Sequence, residues 1–244
     1  HLPFYAPKKY FDQLPLDQVE VPINLPGDLD DIPPGGQKMA GSRRKDLRMI
    51  EEYDNLQHTV QSYLASIAHA DTLVGILMEA FDNSVYRDNT VIVFWSDHGY
   101  AFGEKDHLAK DTLWERSTHV PFIVVAPGVT TPKSHSSRPV DLTCLYPTLT
   151  QLCGLPLPRG LDGVDITPLL RDPNLYWDKP AIIDFLYGNT GIRTEDWRYI
   201  RYENGKEELY NTASDPNEWK NLATEAQHSH EVTRLRQVLA SRLP

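Results

Sequence analysis

Cysteine is nearly absent from this sequence: Cys144 and Cys153 are the two in 244 residues. They are too few for a disulfide scaffold, and they lack the Cys-x-x-Cys spacing of a zinc or redox motif. A basic excess is also missing. Lys+Arg number 24 against 34 Asp+Glu, a formal charge of −10, which argues against a general nucleic-acid binder with its basic stripe. No unbroken apolar run approaches the roughly 18 residues of a membrane span, so no span is expected. The chain opens at His1, without an initiator Met or a signal peptide. The expectation is a processed product or a piece of a longer protein. Internal repeats, low-complexity tracts and Asn-x-Ser/Thr acceptors are lacking too. What remains is ordinary for a globular protein: 40% hydrophobic and 24% charged residues. The length suits one sizeable domain, or one with a small appendage.

Nineteen prolines cluster in connecting segments. Residues 1–36 are Pro-rich and without period. They read as an extended segment that breaks at Pro33-Pro34-Gly35-Gly36. Residues 55–81 then place Val60, Tyr63, Leu64, Ile67, Val74, Leu77, Met78 and Phe81 at i, i+3, i+4 spacing, which predicts a long helix with one buried stripe. The runs 90–95 and 120–126 are apolar and do not alternate, so both read as strands buried on two faces of a central α/β sheet. Residues 142–152 read as a helix that Pro147 kinks, and 155–171 as loop followed by a short helix. After Pro173 come short strand-like pieces, an Asn204-Gly205 hairpin signal and a closing helix over 226–243. This predicts an α/β domain over 1–173 carrying a small antiparallel sheet with one helix over 174–244.

The chemistry concentrates in residues 94–121, FWSDHGYAFGEKDHLAKDTLWERSTHVP. A buried strand ending at Trp95 delivers Ser96-Asp97-His98-Gly99 to its C-terminal edge, where open α/β sheets place ligands. Asp97 offers a hard carboxylate, His98 an imidazole, and Gly99 a tight turn. An Asp-His pair at a strand end is half of a metal site. The plainer alternative is an Asp-His-Gly turn in which Asp97 caps and His98 is hydrogen-bonded. Lys110 lies thirteen residues after Asp97 in a loop with Glu104, Lys105, Asp106 and His107. Each alone reads as a solvated surface charge, and together with the pair they read as an active-site lip.

This segment resembles the metal-and-sulfate segment of type I, formylglycine-dependent sulfatases of the alkaline-phosphatase-like superfamily. HLPFYAPKKYFDQLP resembles that family's His-Pro-Tyr loop, QSYLASIAHADTLVGILMEAFD its helix before the metal strand, and RPVDLTCLYPTLTQLCGLPLP its following helix. GIRTEDWRYIRYENGKEELYNTASDPNEWKNLA resembles its C-terminal subdomain, with Arg-Thr…Trp-Arg-Tyr and Glu-Leu-Tyr…Asp-Pro-x-Glu signatures. The helix and Thr-His-Val-Pro are most similar to the iduronate-2-sulfatase group. The resemblance implies an alkaline-phosphatase-like mixed sheet with flanking helices. It implies Asp97 and His98 as ligands of a divalent cation, usually calcium, although hard cations prefer oxygen to imidazole. It further implies Lys110 on the sulfate oxygens, His1 at the sulfate ester, and Tyr100, Lys105, Asp106 and His107 around the sugar. The expected partner is a sulfated carbohydrate, and the expected location is periplasmic or extracellular, or lysosomal in a eukaryote.

The formylglycine precursor of that family, Cys/Ser-x-Pro-x-Arg, does not occur here, nor does its N-terminal Asp-Asp pair. The expectation is therefore the C-terminal half of a sulfatase, partnered by an N-terminal half and inactive alone. Two other readings stay open. One is a zinc phosphodiesterase or phosphomutase of the same superfamily, where zinc suits the imidazole; metal content separates it from a calcium sulfatase. The other is a non-catalytic glycan-binding fragment.

Overall fold

The computed structural model describes residues 3–241, so His1 lies outside the described residues. In chain order these form helices α1 (Lys8–Asp12), α2 (Pro34–Gly41), α3 (Arg44–Glu52) and α4 (Leu56–Asp82) and strands β1 (Ile92–Trp95), β2 (Ala101–Phe102) and β3 (Leu108–Ala109). Next come α5 (Glu115–Thr118), β4 (Phe122–Val125), α6 (Leu145–Leu152) and α7 (Thr167–Arg171). Strands β5 (Ala181–Phe185), β6 (Asn189–Arg193), β7 (Trp197–Arg201) and β8 (Glu207–Asn211) precede the closing α8 (Ser229–Ala240). The class is α/β, as expected. The chain separates into two compact units: residues 3–26, 40–90 and 100–109, and residues 27–39, 91–99 and 110–241. The boundary expected near residue 173 falls inside the second unit.

The first unit is built on aromatic packing. Val19, Leu47, Val60, Phe102 and Leu108 are buried, with Phe4, Tyr63 and Tyr100 packed against them. The Tyr100 and Phe102 rings lie 4.8 Å apart and the Phe4 and Tyr63 rings 5.3 Å apart, spacings at which ring quadrupoles attract. Two glutamines tie α4 down: the side-chain amide of Gln57 donates to the Val19 carbonyl at 2.9 Å, and that of Gln61 to the Leu14 carbonyl at 2.7 Å. The helix matches the predicted stripe in extent, but Val60 and Ala65 alone are buried along it. Leu73, Ile76 and Leu77 of its second half are exposed. By length and composition this helix is apolar enough to cross a membrane, a property that a count of unbroken apolar runs misses because Ser, Thr, His and Asp interrupt it.

The second unit holds two sheets. β1 pairs antiparallel with β4, from Ile92↔Val125 to Trp95↔Phe122, and no third strand joins them among the described residues. Phe94, Trp95, Ile123 and Val125 are consequently exposed, although their sequence reads as buried on both faces. β5 to β8 form an antiparallel meander. The period of two turns Ile192, Tyr199 and Leu209 toward Val232, Leu235 and Leu239 of α8. Each such aliphatic side chain contributes about 1.5–3 kcal/mol on burial. The opposite face carries Arg193, Arg198 and Glu208, and Gly191 on that face approaches Leu113. Gly205, at φ +75°, makes the turn between β7 and β8, as its Asn-Gly signal predicts.

Two proline expectations are corrected. Pro33-Pro34 does not end structure but opens α2. Pro34 is its first residue, where a missing N–H costs nothing. Gly36 is required there because a Cβ would lie 2.4 Å from Ile32 Cγ2 and 2.5 Å from the Glu208 carboxylate. Pro147 does not kink α6, because it occupies the first turn. Asp141 instead caps the preceding 3-10 turn, its carboxylate accepting from the Thr143 N–H at 3.1 Å. Residues 27–39 are also held by the chain's far end. The Asn221 N–H donates to the Asp31 carboxylate at 2.7 Å, and the Asn221 side-chain amide to the Asp31 carbonyl at 3.1 Å.

Candidate active site

β1 delivers Ser96-Asp97-His98-Gly99 as expected. The loop is fixed by the Ser96 N–H donating to the Pro121 carbonyl at 3.3 Å, the Ser96 hydroxyl donating to the His98 carbonyl at 2.9 Å, and the Gly99 N–H donating to the Ser117 carbonyl at 2.8 Å. Gly99 is needed for close approach: a Cβ there would stand 2.1 Å from the Arg116 carbonyl oxygen. The plainer turn contacts are present. The His98 N–H donates to Asp97 Oδ1 at 3.1 Å, and the ring Nδ1 lies 2.8 Å from the Gly99 carbonyl. That second contact decides the tautomer. A carbonyl only accepts, so Nδ1 carries a proton in that contact, and in the neutral ring Nε2 is the nitrogen with the lone pair. Nε2 stands 3.6 Å from Asp97 Oδ2. One carboxylate oxygen and one imidazole lone pair therefore face a common region, which is the donor geometry of a partial cation site.

Asp97 and His98 line a cavity of about 850 Å³, at the upper end of the usual range for small-ligand pockets. It also takes in α5 and strands β5 to β7 of the same unit. Here lies a group that sequence reasoning did not assign. Arg193 and Arg198 are direct cross-strand partners on one face of β6 and β7, an arrangement that repels unless an anion lies between them. Glu115 of α5 supplies it. Glu115 Oε2 accepts from Arg193 Nε at 3.2 Å and from the Arg198 guanidinium, and Oε1 accepts from His119 Nδ1 at 3.0 Å. Arg198 also donates to the Glu218 carboxylate and to the Leu113 carbonyl at 2.9 Å. Glu218 in turn caps α5, accepting from the Glu115 N–H at 2.8 Å. Burial pushes the Glu115 carboxyl up, but the His119 hydrogen bond and the charges of Arg198 and Arg193 outweigh it and hold the group well below the usual carboxylate range. The Glu115 hydrogen bond raises the His119 imidazole above its ordinary value. The signal for this group was present in the Thr-His-Val-Pro and Arg-Thr…Trp-Arg-Tyr patterns, but only pairing register brings the two together.

Lys110 belongs to the second unit, as do Asp97 and His98. Tyr100, Lys105, Asp106 and His107 belong to the first. There Tyr100 packs in the aromatic cluster with its hydroxyl buried and lacking a hydrogen-bond partner among the described residues, and burial pushes that hydroxyl up to about 12. Lys105 and His107 are buried, and His107 Nδ1 lies 2.9 Å from the Ala40 carbonyl. Asp106 is ion-paired with Arg44 at 2.6 Å and Arg48 at 2.5 Å. These four are thus enclosed or paired rather than solvated charges. Among the described residues no group of three or more His, Cys, Asp or Glu could hold a metal.

A model of the sulfatase family matches residues 1–155, and one described as N-sulphoglucosamine sulphohydrolase, C-terminal, matches residues 103–243. The chain belongs to the sulfatase family. A sulfatase of Formosa agariphila is 35% identical over 246 residues, covering 98% of this chain and 47% of that protein. Arylsulfatase K of Canis lupus familiaris is 30% identical over 66% of this chain and 33% of its own length. A solved structure described as a complex with its substrate D-glucosamine-2-N,6-O-disulfate has 26% identity and a TM-score of 0.71 over 80% of this chain and 44% of that chain. A 2-O glycosaminoglycan sulfatase structure has 23% identity and a TM-score of 0.76 over 91% and 52%, a likeness of fold. This sulfatase chain therefore spans between a third and about half of the length of these relatives. Members of the family generally use a divalent cation and a formylglycine. The two donors Asp97 and His98 are compatible with part of a cation site, but calcium takes about six to eight oxygen ligands. The donor set of this chain does not by itself fit that ion.

Proposed function

We propose that this chain serves a sulfuric ester hydrolase acting on a sulfated sugar or polysaccharide, in the manner of the iduronate-2-sulfatase group. The observation that carries the reading is the Asp97-His98 pair, whose Oδ2 and Nε2 atoms lie 3.6 Å apart among the lining residues of a cavity of about 850 Å³. Within it, Asp97 and His98 contribute to a calcium site completed by ligands from outside this chain. A bound cation would supply charge stabilisation for the sulfate oxygens. Lys110 donates to those oxygens and neutralises charge developing on them, a role worth about 2.7–4 kcal/mol per donor in sites of this kind. His1 assists at the ester oxygen. A formylglycine nucleophile comes from an N-terminal half, so residues 1–244 alone do not turn over a sulfate ester, and the location is periplasmic or extracellular.

Two features support the missing half. β1 and β4 pair only with each other among the described residues and expose Phe94, Trp95, Ile123 and Val125, and a bare strand edge of this kind invites pairing with further strands. The apolar second half of α4 is exposed in the same way, and we assign it to protein rather than lipid because Gln57 and Gln61 already tie that helix to protein backbone. The experiment is Lys110→Ala in the protein at the full length of its coding sequence, assayed on a sulfated sugar. We expect kcat to fall at least tenfold. An unchanged kcat removes Lys110 from the mechanism, and measurable sulfatase activity from purified residues 1–244 refutes the need for a second half.

A further inference from the structure

We infer that His119 is a substrate-contacting residue of this cavity, donating through Nε2 to an anionic group that the sugar carries besides the ester under cleavage. The inference rests on the sulfatase reading and narrows it to polyanionic sugars. His119 lines the cavity that Asp97 and His98 enter, and its side chain is 76% exposed. Its ring has one partner among the described residues, the Glu115 carboxylate on Nδ1. A carboxylate accepts only, so Nδ1 is the donor there, and Nε2 has no hydrogen-bond partner among the described residues. The orientation is fixed from behind. The cross-strand pair Arg193 and Arg198 holds Glu115, and Glu115 holds the imidazole. Glu115 is thus a positioning residue.

Other polar groups of the cavity wall are already committed. The Asp141 carboxylate accepts from the Thr143 N–H and from the Ile182 N–H at 3.2 Å. Asp184 accepts from the Thr190 hydroxyl at 2.7 Å, and Arg138 is ion-paired with Glu195. His119 is the group placed to receive an oxyanion, and a Glu115-bonded imidazole keeps its second proton to higher pH than a free one, which turns Nε2 into a charge-assisted donor. A carboxylate and a second sulfate share this chemistry.

The test compares wild type with His119→Ala and His119→Lys, each at the full length of the coding sequence. Two sugars serve as probes: D-glucosamine-2-N,6-O-disulfate and N-acetylglucosamine 6-O-sulfate, which lacks the second anion. Kd is measured by calorimetry, and KM and kcat where turnover occurs. For His119→Ala we expect Kd or KM to rise about tenfold for the disulfate and less than threefold for the monosulfate, with kcat within threefold. We expect His119→Lys to restore the preference. A uronic-acid 2-sulfate run beside its carboxyl-reduced analogue tells a carboxylate from a sulfate as the recognised group. Equal losses on both members of each pair, no loss on either, or no binding of any probe by wild type overturns the inference. Binding of the disulfate without hydrolysis refutes the sulfatase reading instead and leaves the Kd comparison to decide the role of His119.

Discussion

Replacing Arg198 by Met tests whether the buried ion network is what ties α5 to the β5–β8 sheet. Arg198 and Glu218 retain 1% and 2% of their side-chain exposure, so neither charge reaches water. Met matches the volume and removes the cation. Glu218 then loses the guanidinium but keeps the Glu115 N–H, and Glu115 keeps Arg193 and His119. The Leu113 carbonyl loses its donor. Breaking a buried pair by removing one partner costs about 3–5 kcal/mol, and the surviving hydrogen bonds place the expected loss near the lower end, about 3 kcal/mol. With a urea slope of about 3 kcal/mol per molar, the midpoint should move down by about 1 M. Trp114 and Trp197 report the transition by fluorescence within the same unit. The double variant Arg198→Met with Glu218→Gln should recover at least half of the loss, because the stranded charge disappears while the amide oxygen still caps α5. A midpoint shift below about 0.3 M, or a double variant less stable than the single one, would refute the reasoning that an uncompensated carboxylate sets the cost.

Gly99→Ala should lose about 2–3 kcal/mol in thermal or urea unfolding, since its new methyl group meets the Arg116 carbonyl and the loop must shift; a neutral effect would show that the Asp97-His98 turn is not tightly packed. The His119-Glu115 pair should stabilise within a pH window. The folded value of His119 is raised above 6.5, so its contribution is complete below about 6.5 and fades as pH climbs through the folded value. The folded value of Glu115 is depressed below 4.5, so its contribution is complete above about 4.5 and fades on acidification through the folded value. The stability gap between wild type and His119→Gln should accordingly be widest between about pH 4.5 and 6.5, and a gap that grows toward pH 9 contradicts the assignment. Finally, a thiol reagent should label Cys153 alone in the native protein. Cys153 is exposed, whereas Cys144 is buried and burial pushes its thiol up to about 12; equal labelling rates would show that α6 opens readily.

The sequence made the regular elements legible where one pattern dominated. The stripe of residues 55–81, the two apolar runs and the alternating pieces after residue 180 all became the expected helix, strands and meander. Prolines misled in both directions, because their effect depends on position within a turn rather than on presence. Pro34 begins a helix and Pro147 sits harmlessly in one. Asp97 and His98 were visible as a strand-end pair, but the tautomer that frees Nε2 follows only from the Gly99 carbonyl. Arg193 and Arg198 stood out only within the Arg-Thr…Trp-Arg-Tyr signature, and Glu115 carried no signal of its own. Their juxtaposition depends on a strand register that no local pattern encodes. The burial of Lys105 and His107 was equally invisible, since charge in a polar loop ordinarily signals exposure.

The clasp between Asp31 and Asn221 has a consequence for biosynthesis. The two residues are 190 positions apart, and at translation rates of about 5–20 residues per second roughly 10–40 s separate their emergence. Throughout that interval the segment around Asp31 waits for its partner, and for most of it Gly36 has no Tyr202 ring or Glu208 carboxylate to close against. A ribosome stalled before residue 200 should therefore carry a nascent chain whose 27–39 segment is open to proteases and chaperones, and release of the last few dozen residues is what seals it.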